Sequence, residues 1–310
     1  MLREWKATEK PEEGELKKRL IAARDKLARQ QMLIKEKKVP VLVLMEGWGT
    51  AGKGSCIGEI IQNIDPRFFK VESMEKKTEE EERHPFLYRY FAKIPEAGKF
   101  VFLDSGWMGE TVGDYLRGEL KESEYTRRIE SIRRFERQLT DNGYLVMKFF
   151  LHISEKEQKK RIKHLTEEKD TMWRVNRNDL WQNHHYEKCV DAFSSYMKDT
   201  SMPSAPWYII DAKSKKWTEL QVLETLTQGI DIAFNNRDMA VPLLQNVFPL
   251  EKMPLLSEIP LDKELADEEY QEELKQLQTR LGELHNRLYR KKVPVIIAYE
   301  GWDAAGKGGN

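Results

Sequence analysis

Cysteine is nearly absent from this chain of 310 residues: Cys56 and Cys189 are the whole supply. Two thiols so far apart, without metal-ligand spacing, read as free side chains in a reducing compartment. The six histidines show no H-x-x-x-H or comparable metal spacing, and no Ser/His/Asp nucleophile arrangement suggests itself. No apolar run approaches the roughly 20 residues that a membrane helix requires. The opening MLREWKATEKPEEGELKKRL is too charged for a signal peptide. An excess of one charge is lacking too, because 52 Lys and Arg balance 52 Asp and Glu. Bulk electrostatics therefore make no case for nucleic acid, and any polyanion site has to come from a local cluster. These absences lead us to expect a cytoplasmic protein with neither a nucleic-acid nor a membrane partner.

What the chain does have is a repeated segment. Residues 37–55 read KKVPVLVLMEGWGTAGKGS and residues 291–309 read KKVPVIIAYEGWDAAGKGG. The offset, Gly301 minus Gly47, is 254 positions, far beyond the roughly 20 to 50 of solenoid repeats. It reads as a duplicated domain of which only the opening strand and loop of the second copy are present. A domain ending inside its phosphate loop is incomplete, so residues 291–310 are expected to be a truncated start. The copies differ at one chemically loaded place, Gly49 against Asp303.

Hydrophobic residues make up 40% of the chain, enough for a core. Apolar positions recur at helical spacing over residues 13–38. Residues 41–45 form a continuous apolar run that suits a strand buried on both faces of a parallel sheet. A glycine turn follows at 47–54, then a helix from 55 to 63. Further strands are expected at 99–103 (ending in Asp104), 144–153 and 207–210, with helices at 122–141, 155–168 and 218–235. Ser154 with Glu157 carries the signature of a capping box. Alternating strands and helices imply an α/β fold around a mostly parallel sheet. The expected organisation is an N-terminal helical segment (1–38), a first domain (39–236), a linker and helix (237–290, with the proline-rich 237–260 as the linker), and the start of a second domain (291–310).

Both copies contain G-x-x-x-x-G-K after an apolar run. A loop of this type presents successive backbone N–H groups to a phosphate, helped by the positive end of the following helix. Candidate phosphate-binding residues are Gly47, Gly52, Lys53, Gly54 and Ser55, with Gly306 and Lys307 in the second copy. The Ser or Thr that usually follows the lysine and holds Mg2+ is replaced by Gly54, so a metal would need carboxylates. Asp104 ends an apolar strand, where a metal-linked aspartate sits in such enzymes, and Asp303 lies within the second loop. A basic stretch runs over Lys156, Lys159, Lys160, Arg161, Lys163 and His164, then Arg174 and Arg177. It can act as a helical lid over a phosphoryl donor, with Arg161 the candidate for stabilising transferring charge; as a plain solvated face it would serve no such role. Arg83, Arg89 and Lys93 flank a group of aromatics and could line an anion channel on the outer face.

Four segments resemble the polyphosphate kinase 2 family in order: EGWxxAGKG, RHPFLYRYFAKIPEAGKFVFLD, FERQLTDNGYLVMKFFLHISEKEQKKRI and APWYIIDAKSKKWTELQVLETL. The duplicated loop resembles the family's two-domain polyphosphate:AMP branch. The resemblance implies a P-loop kinase-like three-layer sandwich with a helical lid. It also implies transfer of the terminal phosphoryl of inorganic polyphosphate to AMP, giving ADP, with Mg2+, by a homo-oligomer. Three positions depart from the family pattern. The loop aspartate is Gly49, and the two arginines of the strand-end motif are Ser105 and Glu110. The expectation is a weakened first copy, with Lys53 and Asp104 retained, beside a second copy whose Asp303 and Lys307 do the chemistry. The alternatives are a non-catalytic polyphosphate-binding or structural domain, a first copy competent by itself, and an ATP-dependent nucleoside monophosphate kinase.

Overall fold

The structure is a computed structural model that describes residues 1–74, 76–235 and 252–308. The chain forms two units, Met1–Pro242 and Leu243–Asn310. In the first, α1 (Glu13–Glu36) buries Leu16, Leu20, Leu27 and Ile34 along one stripe. It stops where Lys38 turns into the left-handed region (φ 54°) ahead of Pro40. Then follow β1 (Val41–Gly47) and α2 (Lys53–Ile61), an edge strand β2 (Phe69–Ser73), and two single turns, α3 (Glu79–Glu82) and α4 (Tyr88–Phe91). After β3 (Phe100–Asp104) come α5 (Trp107–Leu116), α6 (Glu122–Asp141) and β4 (Leu145–His152). The unit continues through α7 (Glu155–Glu167), α8 (Arg177–His184), α9 (Tyr186–Thr200) and β5 (Trp207–Asp211) to α10 (Lys215–Asn235).

The five strands are all parallel, in the order β2-β3-β1-β4-β5. Central β1 pairs Val41 with Phe100 on one side and Leu145 on the other. Because the chain crosses from β3 to β4 over β1, the topological switch falls at the carboxyl end of β1, where open α/β sheets bind ligands. One face is covered by α1, α2 and α10, the other by α5, α6 and α9. Ion pairs Arg19–Glu224, Arg24–Glu219 and Lys26–Asp231 align α1 on α10.

The layer of α5, α6 and α9 is joined to the sheet by buried polar groups. Lys148 of β4, fully buried, donates to Glu136 Oε2 (2.6 Å) and to the Thr200 carbonyl (2.8 Å). Trp107 Nε1 donates to the other Glu136 oxygen (3.0 Å). Burial alone would neutralise both partners, pulling Lys148 down and pushing Glu136 up; each holds the other in its charged form.

Several elements lie where sequence periodicity gave no sign of them. FKVES, the β2 strand, is half-exposed and carries only Phe69 and Val71 as apolar positions. Its pairing with β3 makes it a strand. Helices α5, α8 and α9 were likewise not anticipated. The capping box at α7 is half formed: Ser154 Oγ accepts from the Glu157 N–H, but the Glu157 carboxylate takes Arg161 instead. Both cysteines are free and buried.

In the second unit α11 (Asp267–Lys291) ends, like α1, at a left-handed lysine, Lys292 (φ 52°). Residues 293–300 do not form the expected strand. An isolated segment has no neighbour to accept its backbone hydrogen bonds, and β1 is a strand because β3 and β4 flank it. Most of the expected linker, residues 237–251 of 237–260, lies outside the described residues.

Replacing Lys148 by Met leaves the Glu136 carboxylate buried without its cation, and should cost on the order of 3–5 kcal/mol in urea denaturation. Adding Glu136→Leu should recover most of that loss, since the two sites are coupled.

Candidate phosphate-binding site

The loop leaves β1 under a tight steric constraint. At Gly47 (φ 138°) a Cβ would stand 2.4 Å from the Leu151 carbonyl oxygen of β4, so only glycine fits. Trp48 then turns into the core. It stacks on Tyr186 with centroids 4.1 Å apart, meets Phe193 edge-on and donates Nε1–H to His152 Nδ1 at 3.0 Å. Thr50 (φ 60°) and Gly52 (φ 93°) make the two left-handed residues of the loop. Lys53 opens α2, and its Nζ folds back to the Trp48 carbonyl at 3.3 Å.

Two glycines mark places where carboxylates arrive from elsewhere. A Cβ at Gly54 would lie 2.9 Å from Asp104 Oδ2, so the place expected for a hydroxyl-bearing residue is taken by the aspartate ending β3. A Cβ at Gly49 would lie 2.0 Å from Asp179 Oδ1. Asp179, on the first turn of α8, is buried, and its other oxygen accepts from the Asn176 N–H at 2.9 Å. The Gly49 backbone is held on both sides, donating to Gln182 Oε1 (2.9 Å) and accepting from Gln158 Nε2 (3.2 Å). Burial raises the pKa of Asp104 and of Asp179, and Lys53 draws both back toward the charged form. Gly49 is therefore not a position stripped of charge: the carboxylate comes from α8.

Behind the loop sits Glu46. Its Oε1 accepts from the N–H groups of Gly106 (2.8 Å), Met108 (3.0 Å) and Gly109 (3.4 Å), capping α5. Burial pushes this carboxyl up to about 7 against the pull of those N–H groups and Lys53. Ser105, just before Gly106, is left-handed (φ 66°), a conformation that costs a non-glycine residue about 1 kcal/mol or more.

Lys53, Asp104, Gly52, Gly54, Ser55 and Arg161 line one cavity of about 940 Å³. Arg161 does not present its guanidinium as an open donor set. It bonds Glu157 (2.9 Å), the carbonyls of Thr50 (3.2 Å) and Ala51 (3.1 Å), and those of Ala212 (2.7 Å) and Lys213 (3.1 Å). Those contacts tie the back of the loop to α7 and to the end of β5. The lysines of α7 are exposed, as a solvated face would have them. Arg89 is not on an outer face. It is buried, lies near Glu81 (3.6 Å) and Glu110 (3.7 Å), and lines a second cavity of about 730 Å³. The two cavities share Gly49, Lys53, Met74, Ser105, Asn176 and Asp179.

In the second unit Lys307 Nζ reaches back to the carbonyls of Gly301 (2.9 Å) and Trp302 (2.6 Å), as Lys53 does to Trp48. Its loop repeats the left-handed pair, Ala304 (φ 59°) and Gly306 (φ 81°), at the positions of Thr50 and Gly52. Asp303 accepts from the Ala304 N–H at 3.1 Å. Sequence reading missed Glu46, Gln158, Asp179 and Gln182. A signal existed for Glu46, which recurs as Glu300, and for Asp179, three residues after a helix-capping Asn176.

A parallel sheet with a glycine-rich loop entering a helix at its switch point, and an aspartate ending the adjacent strand, defines a P-loop kinase-like domain. The polyphosphate kinase 2 profile matches residues 10–238 and 264–310, and the chain belongs to that family. It is 29% identical over 300 residues to a polyphosphate:AMP phosphotransferase of Pseudomonas aeruginosa, covering 94% of this chain and 60% of the relative. The protein of the same description from Pseudomonas syringae pv. tomato is 31% identical over 296 residues, covering 94% and 59%. The chain thus spans about 60% of the length of these relatives. The crystal structure of a polyphosphate kinase 2 from Arthrobacter aurescens superposes with a TM-score of 0.68 at 26% identity, over 78% of this chain and 85% of that one.

Gly49→Asp should bring two carboxylates into one space and destabilise the domain by roughly 2–3 kcal/mol, through overpacking and like-charge repulsion. Asp179→Ala in the same molecule should relieve most of the loss, measured by chemical denaturation. Glu46 supplies a pH signature. Between the ordinary 4.5 and about 7 the folded protein keeps a proton that the unfolded chain has released, so stability falls as pH rises through that window. The contribution is roughly 3 kcal/mol. Glu46→Gln should flatten the dependence of unfolding free energy over that range.

Proposed function

We infer that this chain is part of an enzyme that transfers the terminal phosphoryl group of inorganic polyphosphate to AMP, giving ADP and a polyphosphate shorter by one phosphate. The observation carrying this reading is the cationic cavity at the loop, where Lys53, Arg161, Arg174, Lys213 and Lys215 outnumber Glu59, Asp104 and Asp179. A polyanion is what such a cavity attracts. The two Pseudomonas relatives, whose names give polyphosphate and AMP, support the substrates.

Within the cavity the loop N–H groups and the start of α2 would receive phosphate oxygens, and Lys53 would leave the Trp48 carbonyl to lie along them. Arg161 would act through the loop backbone that it holds, fixing where those N–H groups point. The oxygen donors suit a hard cation. Asp104 stands beside Lys53, with Asp179 and the Ser55 hydroxyl lining the same space. Among the described residues no group of three or more His, Cys, Asp or Glu could hold a metal unaided. Mg2+ fits that arrangement, since it is bound by one or two carboxylates together with substrate phosphates and water. When bound, it would neutralise charge on the transferring phosphates.

The two copies divide the work in this reading. The first would hold polyphosphate, and the second, with Asp303 inside its loop, would carry turnover. Gly49 contributes less to the weakness of the first copy than its absence of a side chain suggests, because Asp179 fills that place. Glu110, facing the second cavity, contributes more. In the protein extended through its second copy, Lys307→Ala should abolish ADP formation from AMP and polyphosphate. Lys53→Ala should weaken polyphosphate binding and leave most turnover. The opposite pattern would assign the chemistry to the first copy. Turnover with ATP but not polyphosphate as donor would make it an ordinary nucleotide kinase.

A further inference from the structure

The second cavity has an unusual centre. The Glu110 carboxylate, on the first turn of α5, lies 2.5 Å from Lys77 Nζ and accepts from the Tyr90 hydroxyl at 2.8 Å. Arg89 and Arg128 approach it at 3.7 and 3.8 Å. Three cations and a phenol O–H from three separate segments surround its two oxygens, with Arg89 also near Glu81 (3.6 Å) and Arg128 bonded to Asp114 (2.8 Å). That is the shell of donors with which proteins enclose a phosphate oxyanion. Its members are well shielded, with Arg89 7% and Glu110 15% exposed.

We propose that this nest is a phosphate-binding position filled from within, the Glu110 carboxylate standing where the oxygens of a phosphate or pyrophosphate group would otherwise sit. A buried guanidinium needs a counter-charge, because desolvation without one costs several kcal/mol. Glu110 supplies it together with Glu81, and no soluble anion is then required. The surrounding cavity agrees: its lining has six carboxylates against five Lys and Arg side chains. It offers an anion no net attraction, whereas the neighbouring loop cavity has more cations than carboxylates. Phosphoryl transfer between two anionic reactants needs an anion position for each. The first copy keeps one open and closes the other with its own side chain. This deepens the reading of a weakened first copy and rests on it for its biological meaning, but the nest itself can be tested by binding alone.

The test is calorimetric titration of the 310-residue chain with pyrophosphate at low salt. Wild type should bind at the loop only. Glu110→Gln, which keeps the shape and removes the charge, should gain a second pyrophosphate per chain, on the order of tenfold tighter than any secondary binding by wild type. That gain should weaken with salt and vanish when Lys77→Ala is added. Should Glu110→Gln prove unstable, thermal unfolding decides: pyrophosphate should restore most of the lost Tm in that variant and not in Glu110→Gln/Lys77→Ala. An unchanged stoichiometry, or a Tm loss that pyrophosphate does not restore, would overturn the proposal and leave Glu110 a structural ion-pair partner. ADP formation by the unmodified first copy would overturn the weakened-copy reading while leaving the binding result to stand or fall separately.

Discussion

The contact that the rest of the site depends on is the crossing of Gly47 over Leu151. The backbone of β1 passes so near β4 that the carbonyl at 151 would meet any side chain at 47. The chain can then leave the sheet in one direction only, and Trp48 fixes that direction by filling the core between Tyr186, Phe193 and His152. The loop hangs from this anchor. Gln158 and Gln182 hold its side at Gly49, and Arg161 holds its outer carbonyls. Lys53 and the N–H groups at the start of α2 are positioned as a consequence. Precision at the phosphate position thus comes from packing on α7, α8 and α9, not from the glycine-rich loop alone.

The architecture was legible wherever a segment announced itself by its own pattern. Residues 41–45 and 100–103 are continuous apolar runs, and 144–153 is a largely apolar one interrupted by Lys148 and His152, because their strands are buried on both faces. α6 shows its stripe of Ile129, Ile132, Phe135 and Leu139 in the sequence. β2 was illegible, since an edge strand facing water has little to hide and is defined by its partner. α5 was obscured by two glycines and is started by Glu46, sixty residues earlier. The candidate site divides along the same line. Lys53 and Asp104 were visible because loop and strand end are local motifs. Asp179 was not, because nothing in its neighbourhood says that α8 will fold against Gly49.

The second loop separates local from non-local causes within one molecule. Residues 293–300 form no strand, yet the loop after them repeats the left-handed pair and the lysine-to-carbonyl return of the first. The turn is encoded by its own residues, whereas the strand needs neighbours to receive its hydrogen bonds. The same holds for the lysines that close α1 and α11, left-handed at Lys38 and Lys292.

Copy-against-copy comparison of loops therefore has a definite limit. Gly49 reads as an aspartate lost against the second copy, and Gly54 as a hydroxyl lost against the usual phosphate-loop pattern, but in space each glycine is the gap into which another element places a carboxylate. Charge at a site is a property of the folded neighbourhood, and a residue can leave the loop while its chemistry re-enters from α8 or β3. The substitution without such compensation is Glu110, because adding an acid to a nest of cations changes the sum and not merely its source. Lys77, Arg89 and Arg128 remain in place around it, so the framework of an anion site persists with its occupant built in. The buried Arg89 stays paired with Glu81 and Glu110 whether or not an anion is bound.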